Sequence, residues 1–127
     1  GLAAQIWLAP VPVRITFELR HPSIKEEESD ALSMRAVGGC DLLGNWNSEV
    51  GLVLEKTTGA EPSTTTWKAE VVVPPSLGKL EFKFISIASD GAVCWESFDG
   101  NRVLQELWTT DKIHIAAEFG NRNHSLS

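Results

Sequence analysis

An all-β fold, an antiparallel β-sandwich or open-sided barrel of about seven or eight strands, is predicted by three features of this sequence. Short runs alternate apolar and polar residues, Gly, Pro and Asp signals separate them, and no stretch keeps a helical period. The 127 residues make one domain by size and suffice to bury a core.

The first strand is the clearest. Val11, Val13, Ile15, Phe17 and Leu19 alternate with Pro12, Arg14, Thr16, Glu18 and Arg20, so a half-buried strand starts near Pro12. His21-Pro22-Ser23 ends it, and the acidic run from Lys25 to Asp30 reads as a solvated loop. Leu32 to Val37 is a second short strand stopped by Gly38-Gly39, after which Asp41-Leu42-Leu43-Gly44-Asn45-Trp46-Asn47 reads as a loop. Strands at Val50 to Glu55 and Thr66 to Val73 flank a Ser/Thr/Pro-rich loop centred on Pro62.

Next, Leu80, Phe82 and Phe84 alternate with Glu81 and Lys83; an inward apolar set therefore sends Lys83 to the opposite face. Ser89-Asp90-Gly91 supplies turn chemistry, and Val93-Cys94-Trp95-Glu96 returns antiparallel, bringing Trp95 towards Lys83. Two further strands are expected at 103–108 and 112–119, the latter with Ile113, Ile115, Ala117 and Phe119 on one side. The core is thus expected over about 12–119, with a polar tail, 120–127, able to fray or to lead into a following domain.

Composition narrows the partners. A formal charge of -6, from 17 acids and 11 bases with no Lys/Arg cluster, argues against nucleic acid and anionic membrane and suits a neutral ligand. Apolar runs such as Val71-Val72-Val73 before Pro74-Pro75 are too short to span a bilayer as a helix, so the chain reads as soluble. With no initiator Met and no basic segment before Ile6-Trp7-Leu8-Ala9, a domain excised from a longer protein is expected. Cys40 and Cys94 lack metal-type spacing and read as buried thiols, a bridge between them being the alternative. His21, His114 and His124 are scattered, without acidic or thiol neighbours at repeating ligand spacing; no metal or cofactor is expected.

Five tryptophans carry the candidate chemistry, because a flat indole covers the apolar face of a sugar ring while its N–H stays available. Trp67 begins an alternating face with Ala69, Val71 and Val73 and reads as core. Trp46 lies in a Gly/Asn-rich loop with no periodic reason for burial, which favours a surface site. Trp95 shares a face with Val93, and the residues alone leave core and surface equally open. Packing roles are expected for Trp7 and Trp108. A glycosidase pair drawn from Glu96, Asp99 and Asp90 finds little support, since a sandwich of this size leaves little chain for a water-excluding cleft. Neither a Gly-x-Ser-x-Gly elbow nor a phosphate-binding glycine loop occurs.

The ordered set Leu43-Gly44-Asn45-Trp46, Phe82-Lys83-Phe84, Trp95-Glu96 and Asn101-Arg102 resembles the starch-binding domains of carbohydrate-binding module family 20 over about residues 12–108. The resemblance implies an immunoglobulin-like sandwich and a non-catalytic module for starch, glycogen, malto-oligosaccharides or cyclodextrin, tethering an attached catalytic domain. It also implies a platform of Trp46 and Trp95, with Lys83 and Asn101 bonding sugar hydroxyls and Glu96 as an acid beside the site. Two departures stand out. Four residues, Ser97-Phe98-Asp99-Gly100, separate the last two motifs where the family spacing is usually tighter, leaving Phe98 as either an extra contact or a plug. The chain has no tyrosine, so the family's second, tyrosine-built site is expected to be missing. Outside the resemblance, a sandwich that presents its aromatics to a protein partner is the alternative function.

Overall fold

The computed structural model of the chain describes residues 11–21, 26–58 and 65–127. Its strands are β1 Val13–Arg20, β2 Leu32–Gly38, β3 Leu52–Thr58, β4 Thr65–Val73, β5 Leu80–Ala88, β6 Val93–Trp95, β7 Arg102–Leu104, β8 Lys112–Glu118 and β9 His124–Leu126. They form one curled sheet in the order β6-β5-β2-β3-β4-β1-β8-β9, with β7 paired to β5. Among the described residues every pairing is antiparallel except that of β1 with β8. Hairpins force antiparallel neighbours; β1 and β8 are joined by no hairpin, so their relative direction is unconstrained locally.

Alternation along β1 sends Val13, Ile15, Phe17 and Leu19 into the core, all with no exposure. The sheet curls until β1 faces β5, with three strands between them in the sheet order, and Phe17 meets Phe82 and Phe84 edge-to-face at centroid distances of 5.3 and 6.0 Å. Trp67, paired with Leu19, is 1% exposed and fills the same core, as its alternation predicts.

Several local expectations change. A single helical turn, α1 (Glu26–Ser29), sits within the acidic run, with Ser29 buried. The expected strand at 103–108 stops at Leu104, because left-handed Glu106 (φ 54°) breaks it and a 3-10 turn, Leu107–Thr109, follows. The polar end of the chain carries β9, which pairs with β8. Neither thiol is fully buried: Cys94 is exposed on the short edge strand β6, Cys40 is half-buried, and both are free. Trp7, Pro22-Ser23, Lys25 and the loop centred on Pro62 lie outside the described residues. No helix among the described residues is long and apolar enough to cross a membrane.

Candidate functional site

Strand β5 sets the two faces of the site. Leu80, Phe82 and Phe84 point into the core, so Lys83, Ile85 and Ile87 belong to the outer face. Cross-strand partners share a face, and the pairings Ile85↔Trp95 and Ile87↔Val93 therefore put Trp95 on the outer face of β6. On the other side of β5, Val37↔Lys83 and Arg35↔Ile85 place Val37 and Arg35 on that same outer face of β2.

The loop after β2 folds back over this face. Gly39 continues the ladder, its N–H donating to the carbonyl of Glu81 at 3.0 Å. Leu43 plugs into the core without exposure, and the Cys40 carbonyl accepts the N–H groups of Leu43 and Asn45, both at 3.0 Å. Gly44, Asn45 and Trp46 then take φ values of 77°, 49° and 66°. Left-handed backbone costs roughly 1–2 kcal/mol for each non-glycine residue, and such strain clusters at functional segments. Here it reverses the chain so that Leu43 points in and Trp46 points out. Arg35 holds the far side of the loop, Nη1 donating to the carbonyls of Ser48 (2.9 Å) and Glu49 (2.8 Å).

The indole of Trp46 lies against Gly39, whose missing Cβ would stand 3.4 Å from Nε1. Gly39 has the outward parity of Val37, so Trp46 and Trp95 occupy one side of the sheet, with β5 between β2 and β6. Two inter-strand spacings amount to about 10 Å. The two tryptophans are 37% and 39% exposed, which settles for Trp95 the choice that its own strand pattern left open.

Lys83 is half-buried. Nζ donates to the carbonyls of Glu96 (3.2 Å) and Phe98 (2.9 Å) and sits 4.8 Å from the Phe98 ring centroid. Of the ammonium's three donors, one remains for a ligand. Phe98 is also half-buried, with the Arg102 guanidinium 5.3 Å from its ring, so it packs as a plug between two cations. Asn101 is half-buried just before β7, its amide making no hydrogen bond with the described residues.

Glu96 requires a correction: it lies beneath the site, not at a surface where a sugar could meet it. Its side chain has no exposure, and both carboxylate oxygens are fully engaged. Oε1 accepts from Phe84 N–H (2.8 Å) and Arg102 Nε (3.0 Å), and Oε2 from Arg102 Nη2 (2.6 Å) and Gly120 N–H (2.8 Å). Arg102 also donates to the carbonyls of Glu118, Asn121 and Arg122, which fastens the segment after β8 to the underside of the site. The sequence gives this arginine no role of its own; only its place beside Asn101 in the motif marks it. His124 lies near it, its pKa lowered from 6.5 by burial and then by the Arg102 charge.

Trp108 is the second correction. In place of a packing role, it is 64% exposed on the turn after β7. Among the described residues no group of acids, histidines and cysteines is arranged to hold a metal ion. Two surface depressions, of about 430 and 420 Å³, are lined by β1, β4, β8 and β9 and contain no tryptophan. The aromatic face is the candidate site nonetheless, because stacking needs a flat exposed surface and no cavity.

A β-sandwich whose outer face presents part-exposed aromatics from a strained loop and an edge strand has the form of a surface-binding module. The sequence profile of the starch binding domain family matches residues 12–115, and the chain belongs to that family, which is one of non-catalytic carbohydrate-binding modules. Solved structures agree in fold. The chain is similar to a glycoside hydrolase family 15 glucoamylase from Hypocrea jecorina (21% identity, TM-score 0.67, covering 90% of this chain and 18% of that one). It is similar also to the γ-CGTase of alkalophilic Bacillus clarkii (25%, 0.66, 87% and 15%). The family 20 module of the maltotetraose-forming amylase from Pseudomonas saccharophila STB07 is matched along its whole length (24%, 0.59, 84% and 100%). The chain thus spans under a fifth of the two larger enzymes.

Proposed function

We propose that this domain binds starch, glycogen, malto-oligosaccharides and cyclodextrins by stacking glucose rings on Trp46 and Trp95. In this reading Lys83 and Asn101 offer the free donor and the unpaired amide to sugar hydroxyls, and Glu96 with Arg102 holds both flanks in place. The observation that carries it is the pair of part-exposed indoles on one outer face. Two partly covered indoles, at about 25 cal/mol per Å² over on the order of 100 Å² each, give roughly 5 kcal/mol before ordering costs, hence affinity in the range of about a tenth of a millimolar to millimolar.

The domain tethers a catalytic domain carried by the same protein. Support comes from the glucoamylase and CGTase, in which the matched segment is a small part of the chain. Tethering raises the enzyme's effective concentration at the polysaccharide without any new catalytic contact. Calorimetry with β-cyclodextrin tests the binding: heat that saturates in the millimolar range or below is expected, and no heat at millimolar ligand overturns the carbohydrate reading in favour of a protein partner.

A further inference from the structure

Trp108 is the most exposed large apolar side chain among the described residues, at 64%, and the site above does not use it. It is also held rigidly. Leu107 is fully buried and its N–H donates to the carbonyl of Gly78 at 3.0 Å. The Glu106 carbonyl accepts both the N–H (3.0 Å) and the hydroxyl (2.7 Å) of Thr109. Glu106 is left-handed (φ 54°), a strained state for a residue with a side chain, and the six-membered ring of Trp108 rests on left-handed Gly78, whose missing Cβ would be 3.6 Å from Cζ3.

These features repeat those of Trp46. In each case a buried leucine anchors the turn, a left-handed non-glycine residue reverses it, and the indole is backed by a glycine with its remainder in solvent. The two turns also leave the same end of the sandwich, since Gly38, Leu80 and Leu104 end or begin their strands there. An indole held this way loses little freedom on binding.

From this recurrence we propose that Trp108 is a second sugar-stacking point, used by long α-glucan chains or granule surfaces, a proposal that rests on the glucan reading of the domain. Its surroundings favour a polyol over a protein. Gln105, Glu106, Thr109, Ser76 and Lys79, next to it in sequence or on the facing turn, are all exposed and polar, so the indole stands in a mainly hydrophilic rim, with exposed Pro74 and half-buried Pro75 and Leu77 on the facing turn. Protein interfaces need a broader apolar centre than one ring. The missing tyrosines therefore do not leave the domain with a single aromatic platform.

The test compares the 127-residue chain with its Trp108→Ala and Trp108→Phe variants in adsorption to insoluble starch and in calorimetry with β-cyclodextrin, thermal unfolding serving as the check on folding. Expected are roughly tenfold weaker starch adsorption by Trp108→Ala, an unchanged β-cyclodextrin Kd, and recovery of most adsorption in Trp108→Phe, which keeps a flat face. Equal adsorption by Trp108→Ala and the unaltered chain overturns the proposal while leaving the Trp46 and Trp95 platform standing. Equal loss in the Ala and Phe variants overturns it too, because stacking tolerates phenylalanine. An unaltered chain that binds neither starch nor β-cyclodextrin overturns the glucan reading and this proposal together.

Discussion

Glu96 and Arg102 meet as a forked ion pair, Nε to Oε1 at 3.0 Å and Nη2 to Oε2 at 2.6 Å, with neither side chain exposed to solvent. The pair closes the loop between Trp95 and Asn101 from below and bonds Gly120 and the carbonyls of Glu118, Asn121 and Arg122. Residues beyond the end of the family match thereby brace the site.

Breaking this pair from one side leaves a buried charge uncompensated. Arg102→Met or Glu96→Gln alone is expected to cost about 3–5 kcal/mol, whereas the double variant recovers part of the loss because neither charge remains. Urea unfolding of the four proteins measures the coupling; additive losses would show that the two side chains do not act as a unit.

Trp46→Ala and Trp95→Ala should each remove most β-cyclodextrin binding with little loss of stability, since both rings stand part-way in solvent. Trp67→Ala should instead cost about 3–5 kcal/mol, a large share of a small domain's stability. Calorimetry and thermal melts on the same three variants separate the roles. An unfolding penalty for Trp46→Ala equal to that of Trp67→Ala would contradict its place in the site.

The left-handed turn that presents Trp46 should be intolerant at Gly44. A Cβ there would stand 2.7 Å from the Val50 carbonyl oxygen, on backbone that already has φ 77°. Gly44→Ala is expected to cost at least about 1–2 kcal/mol and to weaken β-cyclodextrin binding, because relief of the contact moves the loop. Gly91→Ala, with φ 90° but nothing within 4 Å, isolates the backbone term for comparison.

Lys83→Met removes the donors that hold the carbonyls of Glu96 and Phe98. Faster amide exchange across 96–101 is expected, together with a several-fold rise in the β-cyclodextrin Kd, a change of about 1 kcal/mol. Unchanged exchange and affinity would make Lys83 an ordinary solvated lysine.

His21 and His124 both have pKa values lowered from 6.5, chiefly by burial, and for His124 by Arg102 as well. Each is therefore more easily protonated in the unfolded chain. Their contribution is intact above pH 6.5 and is lost as pH falls from there through the lowered folded values. Melting temperature is expected to fall over that window, with a shallower fall in His124→Asn; identical profiles for the two proteins would remove His124 from the account.

What the sequence determined by itself is the set of faces within strands. Alternation in β1, β4 and β5 settled that Phe17, Trp67, Phe82 and Phe84 are core and that Lys83 points away from it, because successive residues of a strand take opposite sides whatever the strand packs against. A Gly/Asn-rich loop likewise announced an outward Trp46. Tertiary structure decided the rest, and the reason is distance along the chain. Trp95 is outward because β6 pairs with Ile85, a register that its own three residues do not encode. Glu96 is buried because Arg102 and Gly120 come to it from other segments, and no local pattern distinguishes it from the solvated acids. Trp108 is exposed because Glu106 breaks the alternation ahead of it and the turn closes onto Gly78, 30 residues earlier in the chain.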